Sequence, residues 1–110
     1  MTLEKEIADL LIHQRKTLAV AESCSGGLLC QRLTNITGSS KFLIAGIVAY
    51  NNIAKTRLLR VPKLLISKHG AVSQPVAIAM AQGIRQLFKT DFGISITGIA
   101  GPTGGSAKKP

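Results

Sequence analysis

The feature that most constrains the fold is the alternation of short apolar runs with longer stretches of helical periodicity. Residues 17–21 form a largely apolar run with β-branched members, which predicts a short buried strand. A glycine-containing turn follows at residues 22–27, and beyond it Leu29, Leu33 and Ile36 fall on one helical face. Strand, turn and helix in this order form the first half of a βαβ unit.

The rest of the chain repeats this alternation. An amphipathic helix precedes the first strand and ends near Lys16, and residues 46–50 and 92–97 predict two further strands. Asn52 and Ser73 are predicted N-caps of two more helices. Alternating strands and helices predict an α/β fold in which a mainly parallel sheet carries helices on its faces.

Length and composition limit the other possibilities. The chain has 110 residues, of which 45% are hydrophobic and 17% are Asp, Glu, Lys or Arg, enough for one ordinary domain or part of a larger one. Disordered, collagen-like and coiled-coil chains have other compositions. Because three strands leave a sheet edge and part of a face uncovered, we expect another segment or subunit to cover them, and we expect a homo-oligomer.

The chain carries an excess of positive charge. Lys and Arg number 14 against 5 Asp and Glu, a formal net charge of +9. Such an excess favours an anionic partner, either a nucleic acid or a small molecule that carries a phosphate. No aromatic residues are interleaved with the cations, so nucleic-acid binding is the weaker of these two interpretations.

The cysteines and the hydropathy pattern bear on location. Cys24 and Cys30 are too few for a disulfide scaffold, and their spacing is not that of a metal site. Free thiols indicate a reducing compartment. The longest uncharged apolar stretch, residues 42–50, is too short to span a bilayer. We therefore predict a cytoplasmic protein with no membrane association.

Three loops follow the carboxyl ends of the predicted strands, at residues 22–27, 51–55 and 97–105. In open α/β sheets ligands bind at that edge. The first loop leads into a helix N-terminus and the third is rich in glycine, so both could bring backbone amides to a phosphate. Neither loop matches a nucleotide-binding motif, and tight turns alone would explain the same glycines. Phosphate binding and simple turn geometry both remain open on this evidence.

Several side chains could act as a nucleophile: Ser23, Cys24, Ser25, Ser39, Ser40 and Ser73. A hydroxyl needs a base that takes its proton as it attacks. His13 lies in the first helix and His69 at a helix end, so neither is well placed, and Ser-His-Asp catalysis is disfavoured. Lys55 lies just past a strand end and could be the base if burial or nearby positive charge lowers its pKa.

Five ordered blocks of sequence are more specific than these signals. They are AESCSGG at 21–27, GSSKF at 38–42, VAYNNIAK at 48–55, HGAVS at 69–73 and TGIAGPTGG at 97–105. In these blocks the chain resembles the CinA C-terminal domain family of competence/damage-inducible proteins, which includes nicotinamide-nucleotide amidases. The similarity extends over nearly the whole chain.

The resemblance implies a three-layer α/β/α sandwich and a serine amidohydrolase. The implied reaction removes ammonia from the carboxamide of nicotinamide mononucleotide and leaves nicotinate mononucleotide, a step of pyridine nucleotide salvage and NAD metabolism. Matched block by block, the implied nucleophile is Ser40, the implied base is Lys55, and Tyr50 relays the proton or holds the lysine.

The resemblance also implies a substrate pocket and the extent of the domain. The residues implied to line the nucleotide pocket are Glu22, Gly26, Gly27, Thr97 and Gly98. No metal and no cofactor is implied. Residues 1–110 are expected to form a single domain of this family, truncated at the C-terminus because the family pattern continues into a further segment.

The implied triad imposes a condition on the backbone. If residues 40–50 formed one straight strand, Ser40 and Tyr50 would lie roughly 33 Å apart, too far for proton transfer. We therefore predict a helical turn around residues 40–43 and a chain reversal near residues 45–46. The alternative is that Ser40 meets Tyr50 and Lys55 across a subunit interface.

Two alternatives to the amidase remain. A truncated, catalytically inactive relative would bind a nucleotide or nothing. A basic module associated with nucleic acid is the weakest interpretation, suggested by the net charge of +9.

Overall fold

A computed structural model of the chain describes residues 2–98, and within them helices and strands alternate along the chain. The elements are α1 (Leu3–Gln14), β1 (Leu18–Glu22), α2 (Leu28–Thr34), β2 (Leu43–Val48), α3 (Asn52–Leu59), α4 (Lys63–His69), α5 (Gln74–Phe88) and β3 (Phe92–Ile96). The three predicted strands are confirmed, with ends shifted by up to three residues.

The three strands form one parallel sheet in the order β2-β1-β3, so β1 is central. Every residue of β1 is buried, as the apolar run predicts for a strand covered on both faces. At its end Glu22 pairs with Val48 on one side and with Ile96 on the other. The carboxyl ends of all three strands therefore meet at one edge of the sheet.

Successive side chains of β1 enter two separate cores. Leu18 and Val20 pack with buried residues from the region of α1 and α2, which are Ala8, Leu33 and Phe42. Ala19 and Ala21 pack on the opposite face against α3, α5 and their flanking residues, which are Ala49, Leu59, Val61, Val76, Met80 and Ile84. Helices thus cover both faces of the sheet, and the predicted α/β/α sandwich is confirmed.

The helix ends follow local signals in the sequence. The Ser73 side chain accepts a hydrogen bond from the Val76 amide and caps α5, as predicted. The cap of α3 is Asn51 and not Asn52, one residue earlier than predicted, and its side chain accepts from the Ile53 amide. The sequence analysis missed α4, which begins after Pro62. No helix within residues 2–98 is long and apolar enough to cross a membrane.

The segment around Ser40 decides the geometry of the implied triad. A 3₁₀ turn spans Ser39–Lys41, so the predicted helical turn is confirmed. The predicted reversal near residues 45–46 is wrong, because β2 runs unbroken from Leu43 to Val48 and pairs with β1. The single irregularity in that ladder is a shift in register between Leu18 and Ala19, which does not turn the strand.

The two outer strands expose apolar side chains. Ile44 and Val48 of β2 and Phe92 and Ile94 of β3 are each about half exposed. Part of the sheet surface is therefore left partly uncovered in the described part of the chain, although helices pack on both faces. The expectation that another segment or subunit covers it stays a prediction.

We predict that Gly83→Ala destabilises the fold by about 2 kcal/mol, although alanine is normally the better helix former. A Cβ at position 83 would collide with the backbone carbonyl of Leu59, so α5 would have to move away from the end of α3. Urea unfolding measures the change. The matched control is Gln82→Ala, an exposed position in the same helix, where a change within about 0.5 kcal/mol is expected. Equal stability of Gly83→Ala and the parent would contradict this account of the packing.

Candidate active site

A cavity of about 250 Å³ opens at the carboxyl edge of the sheet, where the three strands end. Residues that follow β1, β2 and β3 form its walls together with the loop before α5. The lining residues are Ser23, Cys24, Tyr50, Asn52, Lys55, Ala71, Val72, Thr97 and Gly98. The position agrees with the rule that open α/β sheets bind ligands at this edge.

Lys55 is the buried cationic side chain of this cavity, with 1% of its surface exposed. It lies in the first turn of α3, whose start directly after β2 turns its side chain back toward the strand ends. The Nζ atom donates hydrogen bonds to the carbonyl oxygens of Ala49, at 3.0 Å, and Tyr50, at 3.2 Å. Its third contact is the Ser23 hydroxyl, 3.1 Å away.

Burial without a carboxylate partner disfavours the charged form of this amine. The ion pairs among residues 2–98 are Lys5–Asp9 and Arg32–Glu4, so no described carboxylate pairs with Lys55. Burial lowers the pKa of Lys55 below its ordinary value of 10.5, and the nearby Cys24 thiol opposes this shift in part. A neutral amine has two N–H donors and one lone pair. When the amine is neutral, the two carbonyls can accept its two N–H donors, which leaves its lone pair available for the Ser23 hydroxyl proton.

Ser23 is the first residue after β1, and it is buried. Because β1 and β2 are parallel neighbours, a side chain just past one strand lies close to a side chain just past the other. The Ser23 Oγ and Lys55 Nζ atoms are therefore within hydrogen-bond distance at the floor of the cavity. A hydroxyl beside an amine that can accept its proton has the arrangement of a nucleophile and its base, so Ser23 and Lys55 are a candidate pair for acyl transfer.

Glu22 is implied by the resemblance to line the pocket, but the structure gives it another role. Its side chain is fully buried and accepts hydrogen bonds from the backbone amides of Gly27, Leu29 and Cys30. The carboxylate thus occupies the N-terminus of α2, which the sequence analysis offered to a phosphate. Gly26 and Gly27 adopt the left-handed φ of 62° and 103° that this turn requires, and neither lines the cavity.

The pKa shifts around Glu22 follow from these contacts. Burial alone would raise the pKa of Glu22, but the hydrogen bonds from the Cys30 and Leu29 amides hold it below its ordinary value of 4.5. Burial and the adjacent carboxylate raise the pKa of Cys30 to about 12. Cys30 is therefore an unreactive thiol beneath the turn.

Three other residues implied by the resemblance, Tyr50, Thr97 and Gly98, line the cavity. The Thr97 hydroxyl donates to the Ala71 carbonyl at 3.0 Å. Tyr50 has 67% of its surface exposed, and it contacts Lys55 through its backbone carbonyl. The remainder of the loop predicted at 97–105 lies outside the described residues.

Ser40 lies at the opposite edge of the sheet. It is an exposed residue of the 3₁₀ turn that precedes β2, whereas Lys55 lies beyond the carboxyl end of the same strand. The whole length of β2 therefore separates Ser40 from Tyr50 and Lys55 within the chain. The implied role of Ser40 stays a prediction that needs contact across a subunit interface.

The comparisons with known proteins agree with this architecture. The family description "CinA C-terminal domain" matches residues 1–110. This chain belongs to the CinA C-terminal domain family. The CinA-like protein of Syntrophus aciditrophicus is 58% identical over 109 residues, and the CinA-like protein of Gemmatimonas aurantiaca is 62% identical over 94 residues.

These matches cover different shares of the two chains. The Syntrophus match spans 99% of this chain and 26% of the relative, and the Gemmatimonas match spans 86% and 22%. The chain thus spans about a quarter of the length of these curated relatives. A solved competence damage-inducible protein, ComA of Klebsiella pneumoniae, superposes with a TM-score of 0.93 at 35% identity, over 98% of this chain and 67% of that one. The solved competence/damage inducible protein CihA of Agrobacterium tumefaciens superposes with a TM-score of 0.87 at 40% identity, over 100% of this chain and 72% of that one.

The sequence analysis of this CinA domain found the lysine but not its partner. Ser23 was one of several candidate nucleophiles, and block matching assigned the role to Ser40. The order of strands and loops in the sequence could have indicated that Ser23 lies near Lys55. Ser23 follows a parallel strand and Lys55 follows its neighbour, so both belong to one sheet edge, whereas Ser40 precedes a strand.

We predict that Glu22→Gln lowers the free energy of unfolding by about 2 kcal/mol at neutral pH, because an amide nitrogen would face backbone donors. The lowered pKa of Glu22 also sets a pH dependence with a definite sign. The carboxylate stabilises the fold above its ordinary pKa of 4.5, and this contribution is lost as the pH falls below 4.5 and through the folded-state value. Urea unfolding at several pH values measures both effects. The control is Glu6→Gln, an exposed position on α1, and an equal loss in both variants would contradict the role of Glu22.

Proposed function

We propose that this CinA domain is a serine amidohydrolase that converts nicotinamide mononucleotide and water to nicotinate mononucleotide and ammonia. The observation that carries the proposal is the 3.1 Å contact between the Ser23 hydroxyl and the buried Lys55 amine. The resemblance to nicotinamide-nucleotide amidases supplies the substrate. Ser23 replaces Ser40 as the proposed nucleophile, because Ser23 shares a cavity with Lys55 in the chain itself.

The first half of the proposed reaction forms an acyl-enzyme. The Ser23 oxygen attacks the carboxamide carbon while its proton passes to the Lys55 nitrogen. The resulting ammonium keeps its two carbonyl partners, so the site suits both protonation states of the lysine. We assign the oxyanion to the backbone amide of Cys24, the residue after the nucleophile. The ammonium then protonates the leaving nitrogen, and ammonia departs.

The second half returns the enzyme to its starting state. Neutral Lys55 takes a proton from a water molecule, whose oxygen attacks the ester carbon. The ester bond breaks, nicotinate mononucleotide leaves, and the ammonium gives its proton back to the Ser23 oxygen. Tyr50 keeps a role in positioning, since its carbonyl holds Lys55 while its ring stands at the rim of the cavity.

The distribution of charge supports an anionic substrate. No Asp or Glu occurs between Glu22 and Asp91, and the described carboxylates do not line the cavity. The same stretch contains nine Lys and Arg residues, which are Arg32, Lys41, Lys55, Arg57, Arg60, Lys63, Lys68, Arg85 and Lys89. A cleft without negative charge on a basic chain attracts a phosphate-bearing ligand. Both cysteines are free, which supports a cytoplasmic location.

We predict that Ser23→Ala and Lys55→Met each reduce ammonia release from nicotinamide mononucleotide by about 10³-fold or more, since each removes half of the nucleophile–base pair. Ser40→Ala is the discriminating variant, and we expect it to retain activity within about twofold. Steady-state ammonia release measures all three, and thermal unfolding confirms that each variant is folded.

The same assay separates the other interpretations. Loss of activity in Ser40→Ala with retention in Ser23→Ala would assign the nucleophile to Ser40 and to a subunit interface. Nucleotide binding with no ammonia release by the parent chain would indicate the inactive relative. DNA binding that weakens steeply with salt, with neither of these properties, would indicate the nucleic-acid module.

We predict that kcat/KM rises with pH through the pKa of Lys55, because only the neutral amine accepts the Ser23 proton. The half-maximal pH lies below 10.5, since burial lowers this pKa. A pH–rate profile measures it, with thermal unfolding at each pH to show that the fold persists. A profile that shows no rise at any pH below 10.5 at which the protein is folded would contradict Lys55 as the base.

A further inference from the structure

The wall of the cavity between β1 and β3 is formed by a thiol and a residue without a side chain. Glu22 pairs with Ile96 at the ends of these strands, and continuing the register sets Ser23 beside Thr97 and Cys24 beside Gly98. All four of the residues beyond the strands line the cavity. The Cys24 thiol therefore lies against the bare Cα of Gly98, next to the reactive pair.

The Cys24 thiol lies close to the position that a Cβ atom would occupy at residue 98. A Cβ built on Gly98 would lie 3.1 Å from the Cys24 sulfur, closer than ordinary van der Waals contact. The φ angle of Gly98 is not left-handed, unlike those of Gly26 and Gly27, so its backbone does not itself require glycine. We therefore attribute the glycine at position 98 to the space that the Cys24 thiol needs, and not to the backbone conformation.

A Cβ at position 98 would require the Cys24 sulfur to shift by a few tenths of an ångström. The cavity is the open space that Cys24 and Gly98 both border, and it also contains Ser23 and Lys55. A sulfur atom moved in that direction would narrow the cavity beside the hydroxyl and the amine.

We propose that Gly98 is a specificity-determining residue, because its missing side chain leaves the Cys24 thiol against the strand end and keeps the cavity open for the substrate's ring. The kinetic part of this proposal rests on the proposed amidase function. The steric part does not, because the position of the thiol can be followed without turnover.

Thiol alkylation tests the steric part on the whole chain. Gly98→Ala should raise the rate at which iodoacetamide modifies Cys24 by about threefold or more, since the sulfur moves into the open cavity. Both cysteines lie on the tryptic peptide of residues 17–32, and fragmentation in a mass spectrometer distinguishes them. Cys30 is the internal control, because it is held beneath the turn by Glu22 and its rate should stay constant. An unchanged Cys24 rate in a folded Gly98→Ala protein overturns the proposal.

A double-mutant cycle tests the kinetic part. Gly98→Ala should lower kcat/KM for nicotinamide mononucleotide by about tenfold, mainly through a higher KM, because overpacking impedes entry of the ring. In a Cys24→Ala background the same change should cost less than about twofold, because there is no sulfur to displace. An equal loss in both backgrounds overturns the proposal, since Gly98 would then act on the backbone and not through the thiol.

The two readouts separate this proposal from the amidase. If the parent chain releases no ammonia, the amidase function fails, and the alkylation rates still decide the steric part. If the parent is active and Gly98→Ala changes neither kcat/KM nor the alkylation rate of Cys24, the proposal fails while the amidase stands. Thermal unfolding of all four variants of the cycle shows that the comparison is made between folded proteins.

Discussion

The site depends on a lysine amine that is buried without a carboxylate partner. Transfer of an ammonium group from water to a protein interior costs several kcal/mol unless its charge is compensated, so burial lowers the pKa of Lys55. The carbonyls of Ala49 and Tyr50 and the hydroxyl of Ser23 satisfy this amine in either protonation state. These partners come from the ends of β1 and β2, so this arrangement of contacts requires the parallel pairing of the two strands.

A second buried ionisable group, the Glu22 carboxylate, stabilises the turn between β1 and α2, and hydrogen bonds favour its charged form. Glu22 remains ionised because backbone amides at the start of α2 surround its carboxylate. The helix start that a phosphate would use in many α/β proteins is here occupied by the protein's own carboxylate. The turn between β1 and α2 therefore serves to position Ser23, and the open cavity lies on the other side of that residue.

The resemblance to the CinA C-terminal domain family and the geometry contribute different parts of the proposed mechanism. The chain belongs to the CinA C-terminal domain family, and the resemblance suggests the carboxamide substrate. The geometry selects which serine can meet the lysine. Ser40 and Lys55 are separated by a full strand within one chain, whereas Ser23 and Lys55 share a hydrogen bond. The neighbouring wall, formed by Cys24 and Gly98, then limits the space that a substrate can use.

The sequence alone determined the alternation of elements, the parallel sheet and the Ser73 cap, because apolar periodicity and turn residues act over a few neighbouring positions. It also led to the prediction that Lys55 has a functional role. It did not reveal α4, whose short span lacks a side-chain cap, or the straight course of β2. Tertiary structure alone decided that Glu22 faces the amides of α2 and that Ser23 faces Lys55. Those contacts join residues that are far apart in sequence, and they form only when strand pairing brings the ends of β1 and β2 to one edge of the sheet.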